Sequence, residues 1–215
     1  DNDYGNGAPK RLQIWKQSSK NFKVADASIA MDNKVAVLTA NYLLAAGNLY
    51  IVTYKIYPSG VVKVDARFTS ADMQVAESEV SEATRTATFT PGNDAARKAA
   101  AKLNVPRIGV RFRLPAEMNV VEYFGRGPEE NYIDRNAGSM VGRYKTIADS
   151  MYVDYVRPQE NGHHVDTRWV ALSKKGGKGL RITADKTFGF NALRNSVEDF
   201  DSEEATNRPR QWNNF

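Results

Sequence analysis

Two β-rich runs joined by a short turn constrain this chain more than any other feature. Leu49-Tyr-Ile-Val-Thr-Tyr-Lys-Ile-Tyr57 is crowded with β-branched and aromatic side chains. Such residues suit a pleated, half-buried surface and are stiff in a helix. Pro58-Ser59-Gly60 supplies a turn, and Val61 to Phe68 returns with strict alternation from Val62 onward. The pair predicts an antiparallel hairpin.

The same reading extends along the chain. Phe22–Ala30, Lys34–Leu44, Met118–Phe124, Met151–Val156, Thr167–Ser173, Leu180–Ala184 and Phe188–Leu193 read as strands. In Arg107–Leu114, Ile108, Val110, Phe112 and Leu114 point one way and Arg107, Gly109, Arg111 and Arg113 the other. Thr84–Phe89 alternates weakly. Residues 1–10 are rich in turn formers and read as a loop. One helix is expected, Asp94–Leu103, capped by Asn93 and packed by an alanine face, within an insertion over 91–105. The last twenty residues read as helical or loose. Many short strands with turn signals predict an all-β fold, a large antiparallel β-sandwich in a single domain over 1–215. The chain starts at Asp1 without a methionine and stops at Phe215 after a polar stretch, so it reads as cut at both ends.

Composition narrows the function classes. The net charge of +5 is scattered, so no basic stripe for nucleic acid is expected. No apolar run approaches the roughly 18 residues of a membrane-spanning helix, and no membrane partner is expected. With no cysteine, disulfides and thiolate metal sites are excluded. The compartment is left open between cytoplasm and periplasm.

Two clusters carry the polar chemistry. The first is Glu122-Tyr-Phe-Gly-Arg-Gly-Pro-Glu-Glu-Asn-Tyr-Ile-Asp-Arg135. Gly125, Gly127 and Pro128 make a sharp corner after a strand. The plain expectation is that Asp134 or a glutamate locks this corner by pairing with Arg126 or Arg135. The sharper one is a sugar cleft, in which acids, amides and arginine bond ring hydroxyls. The second cluster is Pro158-Gln-Glu-Asn-Gly162 followed by His163, His164, Asp166, Arg168 and Trp169. Glu129, Asn131, Arg135, Glu160, Asn161 and Arg168 are the candidate cleft residues. Adjacent histidines on a strand face opposite sides, so His163 and His164 do not predict a zinc site.

Gly-Arg-Gly-Pro-Glu-Glu-Asn-Tyr-Ile-Asp-Arg135, Met151-Tyr152, Tyr155-Val156, Pro-Gln-Glu-Asn-Gly162 and Thr167-Arg168 occur in this order, after an opening Asp-Asn-Asp3 and Gly5. Together they resemble the C-terminal, small-chain region (domain 5) of glycoside hydrolase family 2 β-galactosidases. The resemblance implies a galactose-mutarotase-like supersandwich. It implies a parent hydrolase that cleaves terminal β-D-galactosides with retention, using two glutamates on a barrel domain outside this segment. No catalytic and no metal-binding residue is then expected in this chain, and no cofactor. The parent's divalent cation (Mg or Ca) and Na would sit in that barrel. Gly5 is the implied substrate-proximal loop residue. The implied partners are the parent's other domains, the β-galactoside and further copies of the full-length enzyme. Two alternatives stay open: a free carbohydrate-binding module, and a mutarotase-like epimerase using His163 or His164 with a glutamate.

Overall fold

The computed structural model describes residues 7–18, 20–44, 47–69, 105–155 and 160–200. They fall into two compact units, 1–110 and 111–215.

The first unit opens with helix α1, Ala8–Ser18. The loop expected over residues 1–10 therefore ends earlier than its composition suggests. Pro9 lies in the first turn, where a missing N–H costs no helical hydrogen bond. Trp15 meets Phe68 edge-on, with ring centroids 5.7 Å apart, which ties the helix to the sheet. The sheet is a simple antiparallel meander of β1 (Lys23–Asp32), β2 (Val35–Leu43), β3 (Leu49–Ile56) and β4 (Val62–Thr69). Asn33 and Lys34 take positive φ between the paired Asp32 and Val35, as a tight hairpin with right-handed strand twist demands. The β3–β4 hairpin forms as expected. Ile56 pairs with Val62, and Gly60, at φ +85°, closes the turn by donating to the Tyr57 carbonyl at 2.9 Å. Strand β1 is exposed along its whole length, with Ile29 at 78% and Met31 at 69%.

The second unit holds β5 (Val120–Gly127), β6 (Met140–Ile147), β7 (His164–Ser173) and β8 (Gly179–Phe190), in the antiparallel order β6-β5-β7-β8. Its core is Val121, Tyr123, Met151, Val170, Phe190 and Ala192. Both sheets are antiparallel and α1 is the single α-helix among the described residues, the composition expected of the all-β sandwich class. No helix among the described residues is long and apolar enough to cross a membrane.

Several expectations are corrected. Arg107–Leu114 alternates but joins neither sheet among the described residues, and Ile108, Val110 and Phe112 stay exposed. Alternation alone does not make a strand without a partner edge. Met151–Tyr155 is not a strand either: Met151 plugs the core, and Asn161 takes both backbone groups of Val153. Leu180–Ala184 and the start of the expected Phe188–Leu193 strand merge into β8, whose Asp185-Lys186 pair continues the strand rather than turning it; β8 stops at Phe190, and Asn191–Leu193 are not strand. Strand β6 is missing from the sequence reading because Gly142, Arg143 and Lys145 dilute its alternation. The expected helix Asp94–Leu103 with the rest of its insertion up to residue 104, and Thr84–Phe89, lie outside the described residues. The end of the chain shows one short 3-10 turn, Val197–Phe200, before residue 201.

Candidate functional site

The first cluster begins on β5, whose buried face carries Val121, Tyr123, Gly125 and Gly127. The glycines are there for closeness. A Cβ on Gly127 would lie 2.3 Å from the Tyr123 Oη, and one on Gly125 2.8 Å from the Thr167 Oγ1. Tyr123 donates to the Pro128 carbonyl at 3.1 Å, and burial pushes its phenol well above its ordinary range.

Asn131 follows and is fully buried. Its Nδ2 donates to the carbonyls of Arg126 (3.1 Å) and Glu129 (3.0 Å), and its Oδ1 accepts from the Val165 N–H at 2.9 Å. One side chain thus ties the corner after β5 to the start of β7. Asn161 does the same for a second loop. Its Nδ2 donates to the Val153 carbonyl at 2.6 Å and its Oδ1 accepts the Val153 N–H at 2.9 Å.

Glu130 is the hub between these loops, with its side chain only 7% exposed. Oε1 accepts from Arg135 at 2.8 Å and from the Tyr155 hydroxyl. Oε2 accepts from the Gly162 N–H at 2.9 Å and from the Tyr132 hydroxyl at 3.2 Å. Burial first, then the Glu130 charge, pushes the Tyr132 phenol far up, so it stays a donor. The glutamate–Arg135 lock is the expected one. Arg126, however, finds Asp166: its Nε donates to Oδ2 at 2.5 Å, and its Nη1 donates to the carbonyls of Asn136 and Ser139. Asp166 reaches that position from a left-handed backbone, φ +51°, at an irregularity in the β7–β8 register.

The two histidines diverge, His163 just before β7 and His164 at its first position. His164 is buried between Tyr123 and Phe190, with its ring nitrogens facing the Pro128 and Gly162 carbonyls. Both carbonyls favour the cation, but burial outweighs them and holds the imidazole below its ordinary value. His163 stacks on Tyr132. Its Nδ1 lies 2.8 Å from the Asn191 Oδ1 and 3.5 Å from the Glu160 Oε1. Asn191 donates through Nδ2 to the Asn161 carbonyl, so its Oδ1 is the acceptor and the His163 proton sits on Nδ1. Among the described residues no group of three His, Cys, Asp or Glu side chains is set to hold a metal.

Beside this frame lies an open depression of about 580 Å³ lined by Glu129, Glu130, Asp134, Arg135, Asn136, Ala137, Gly138, Ser139 and Val153. Of the candidate cleft residues, Glu129 and Arg135 line it. Asn131 and Asn161 stand behind it with their amides committed to backbone. Glu160 sits beside His163, and Arg168 lies on the other sheet face with its guanidinium over Phe124. Gly5 lies outside the described residues. Tyr132, Tyr155 and Asp166 are organisers that the sequence reading did not assign, although Tyr132 and Asp166 stand inside the two clusters it marked.

Two antiparallel sheets, with signature polar residues that brace loop ends beside an open depression, define an all-β chain of the sandwich class. The chain belongs to the family described as beta galactosidase small chain, whose sequence model matches residues 1–211. It is 30% identical over 205 residues to a beta-galactosidase of Streptococcus thermophilus, covering 94% of this chain and 17% of that protein. Against a beta-galactosidase of Arthrobacter sp. (strain B7) it is 41% identical over 111 residues, 49% of this chain and 11% of the relative. One from Lactobacillus delbrueckii subsp. bulgaricus is 31% identical over 188 residues, 86% and 16% respectively. The chain therefore spans less than a fifth of the length of these relatives.

Proposed function

We propose that this chain is the supporting C-terminal part of a β-galactosidase that cleaves terminal β-D-galactosides with retention. The two catalytic glutamates, together with the divalent cation and Na, belong to a barrel domain outside this segment. The chain edges the substrate pocket through the loop at Gly5. The observation that carries this reading is the family match over 1–211, set beside the small share of each full-length relative that the chain covers. The local chemistry agrees with it. Glu130 spends both carboxylate oxygens on Arg135, Tyr155, Tyr132 and the Gly162 N–H, and Asp166 is bound to Arg126, contacts that brace loops. Purified chain incubated with a chromogenic β-galactoside should give no turnover above a buffer blank; clear turnover would refute the proposal.

The depression beside Glu129 and Arg135 favours one second reading, a carbohydrate-binding module. Calorimetry with galactose and lactose separates the two. Saturable binding that Arg135→Ala abolishes supports the module, and no heat above dilution leaves the supporting role alone.

A further inference from the structure

The face of the second sheet turned away from its core carries a feature that the proposed galactosidase role does not use. Phe124 on β5 pairs with Trp169 on β7 and, on its other side, with Arg143 on β6. The register shift around Thr167 puts Thr167 on the buried side while Arg168 and Trp169, consecutive residues, both face outward. The Arg168 guanidinium lies 5.4 Å from the Phe124 ring centroid, and that of Arg181 lies 4.5 Å from Trp169.

The charges on this face do not balance. Glu122 is taken by Lys145 at 2.6 Å and Asp166 by Arg126 at 2.5 Å, and Asp185 on β8 is exposed and in no ion pair with an arginine among the described residues. Among the described residues no carboxylate pairs with Arg143, Arg168 or Arg181, and all three are exposed. A guanidinium set over a ring still has N–H groups to offer a carboxylate; Arg168 already spends Nη1 on the Asp166 carbonyl and has its other N–H groups left for such a contact. Half-buried Trp and Phe framed by Arg is also the composition of protein interface centres. A sugar would need the ring faces that these guanidinium groups cover.

We propose that this face is a docking surface for a carboxylate-bearing surface of another polypeptide. The three arginines receive its acids, and Phe124 and Trp169 supply the apolar floor. The inference stands independently of the galactosidase reading, because it uses neither the depression nor the pocket loop.

The test is fluorescence anisotropy of a labelled short polyglutamate peptide against the full 215-residue chain. Saturable binding is expected. The triple variant Arg143→Ala, Arg168→Ala, Arg181→Ala should bind at least about tenfold more weakly. The triple Arg→Lys variant keeps the charge and guards against misfolding; it should lose several-fold through the missing fork. Lys175→Ala with Lys178→Ala, on the β7–β8 turn, should change binding by less than about twofold, since screened general attraction is not the mechanism. Three results would overturn the proposal: no saturable binding, equal losses from the turn lysines, or heparin binding through the same arginines more tightly than polyglutamate.

Discussion

Arg126 and Asp166 meet at 2.5 Å across 40 residues of sequence, and the same guanidinium holds the carbonyls of Asn136 and Ser139. Arg126→Ala removes all three contacts and should destabilise the chain by roughly 2 kcal/mol. Asp166→Asn keeps a side chain that tolerates left-handed backbone and leaves the two carbonyl contacts, so it should cost under about 1 kcal/mol. Urea unfolding of both variants checks the order; equal losses would mean that the carbonyl contacts contribute nothing.

Asn131 offers a sharper case, because burial leaves its partners no water to turn to. Asn131→Ala orphans two carbonyls and the Val165 N–H, and a loss of about 3 kcal/mol is expected. Asn131→Asp keeps the shape but points a carboxylate oxygen at two carbonyls. Its penalty should ease on acidification, when protonation restores a donor. A thermal melt series from neutral to acid pH reads this directly.

His164 sets a pH dependence with a definite sign. Its folded value is held below the ordinary 6.5 by burial, so the unfolded chain takes up the proton first. Its contribution to stability is complete above about 6.5 and is lost as pH falls below that value. Glu117, Asp149 and Glu198, held low by Lys174, Arg194 and Arg111, shed theirs only at more acidic pH. His164→Gln should therefore flatten the melting profile between neutral and mildly acidic pH while leaving the more acidic decline in place.

Two glycines separate steric from conformational cost. Gly60 takes φ +85° with nothing near its would-be Cβ, so Gly60→Ala should cost about 1 kcal/mol through backbone strain alone. At Gly127 the added methyl strikes Tyr123 and Tyr144, and a loss of about 3 kcal/mol is expected, with the Tyr123–Pro128 contact broken. Near-ultraviolet circular dichroism should change for Gly127→Ala and not for Gly60→Ala.

Much of this was written in local sequence. The Leu49–Phe68 hairpin needs only alternation and a turn, both confined to adjacent residues, and its register follows. The two polar clusters were marked, and so was a glutamate lock on Arg135. What local sequence does not carry is who meets whom across the fold. Asp166 gains Arg126 through a backbone conformation that no residue type announces. Asn131 and Asn161 have the chemistry of sugar ligands, yet the same donors and acceptors serve backbone equally well. Arg107–Leu114 shows the limit from the other side, since a strand pattern is a statement about one edge and pairing needs two.

The order β6-β5-β7-β8 also sets a timetable. In the first sheet every strand pairs only with its neighbour along the chain, so each step closes a short loop. In the second, Val120 must wait for Ser173, because β5 takes β7 as well as β6. Loop closure over that distance is slow, and the rate of folding follows the span of the contacts. Pulse-labelling exchange during refolding should find the amides of β3 and β4 protected before those shared by β5 and β7. The segment that bears the family's signature is then among the last to become itself.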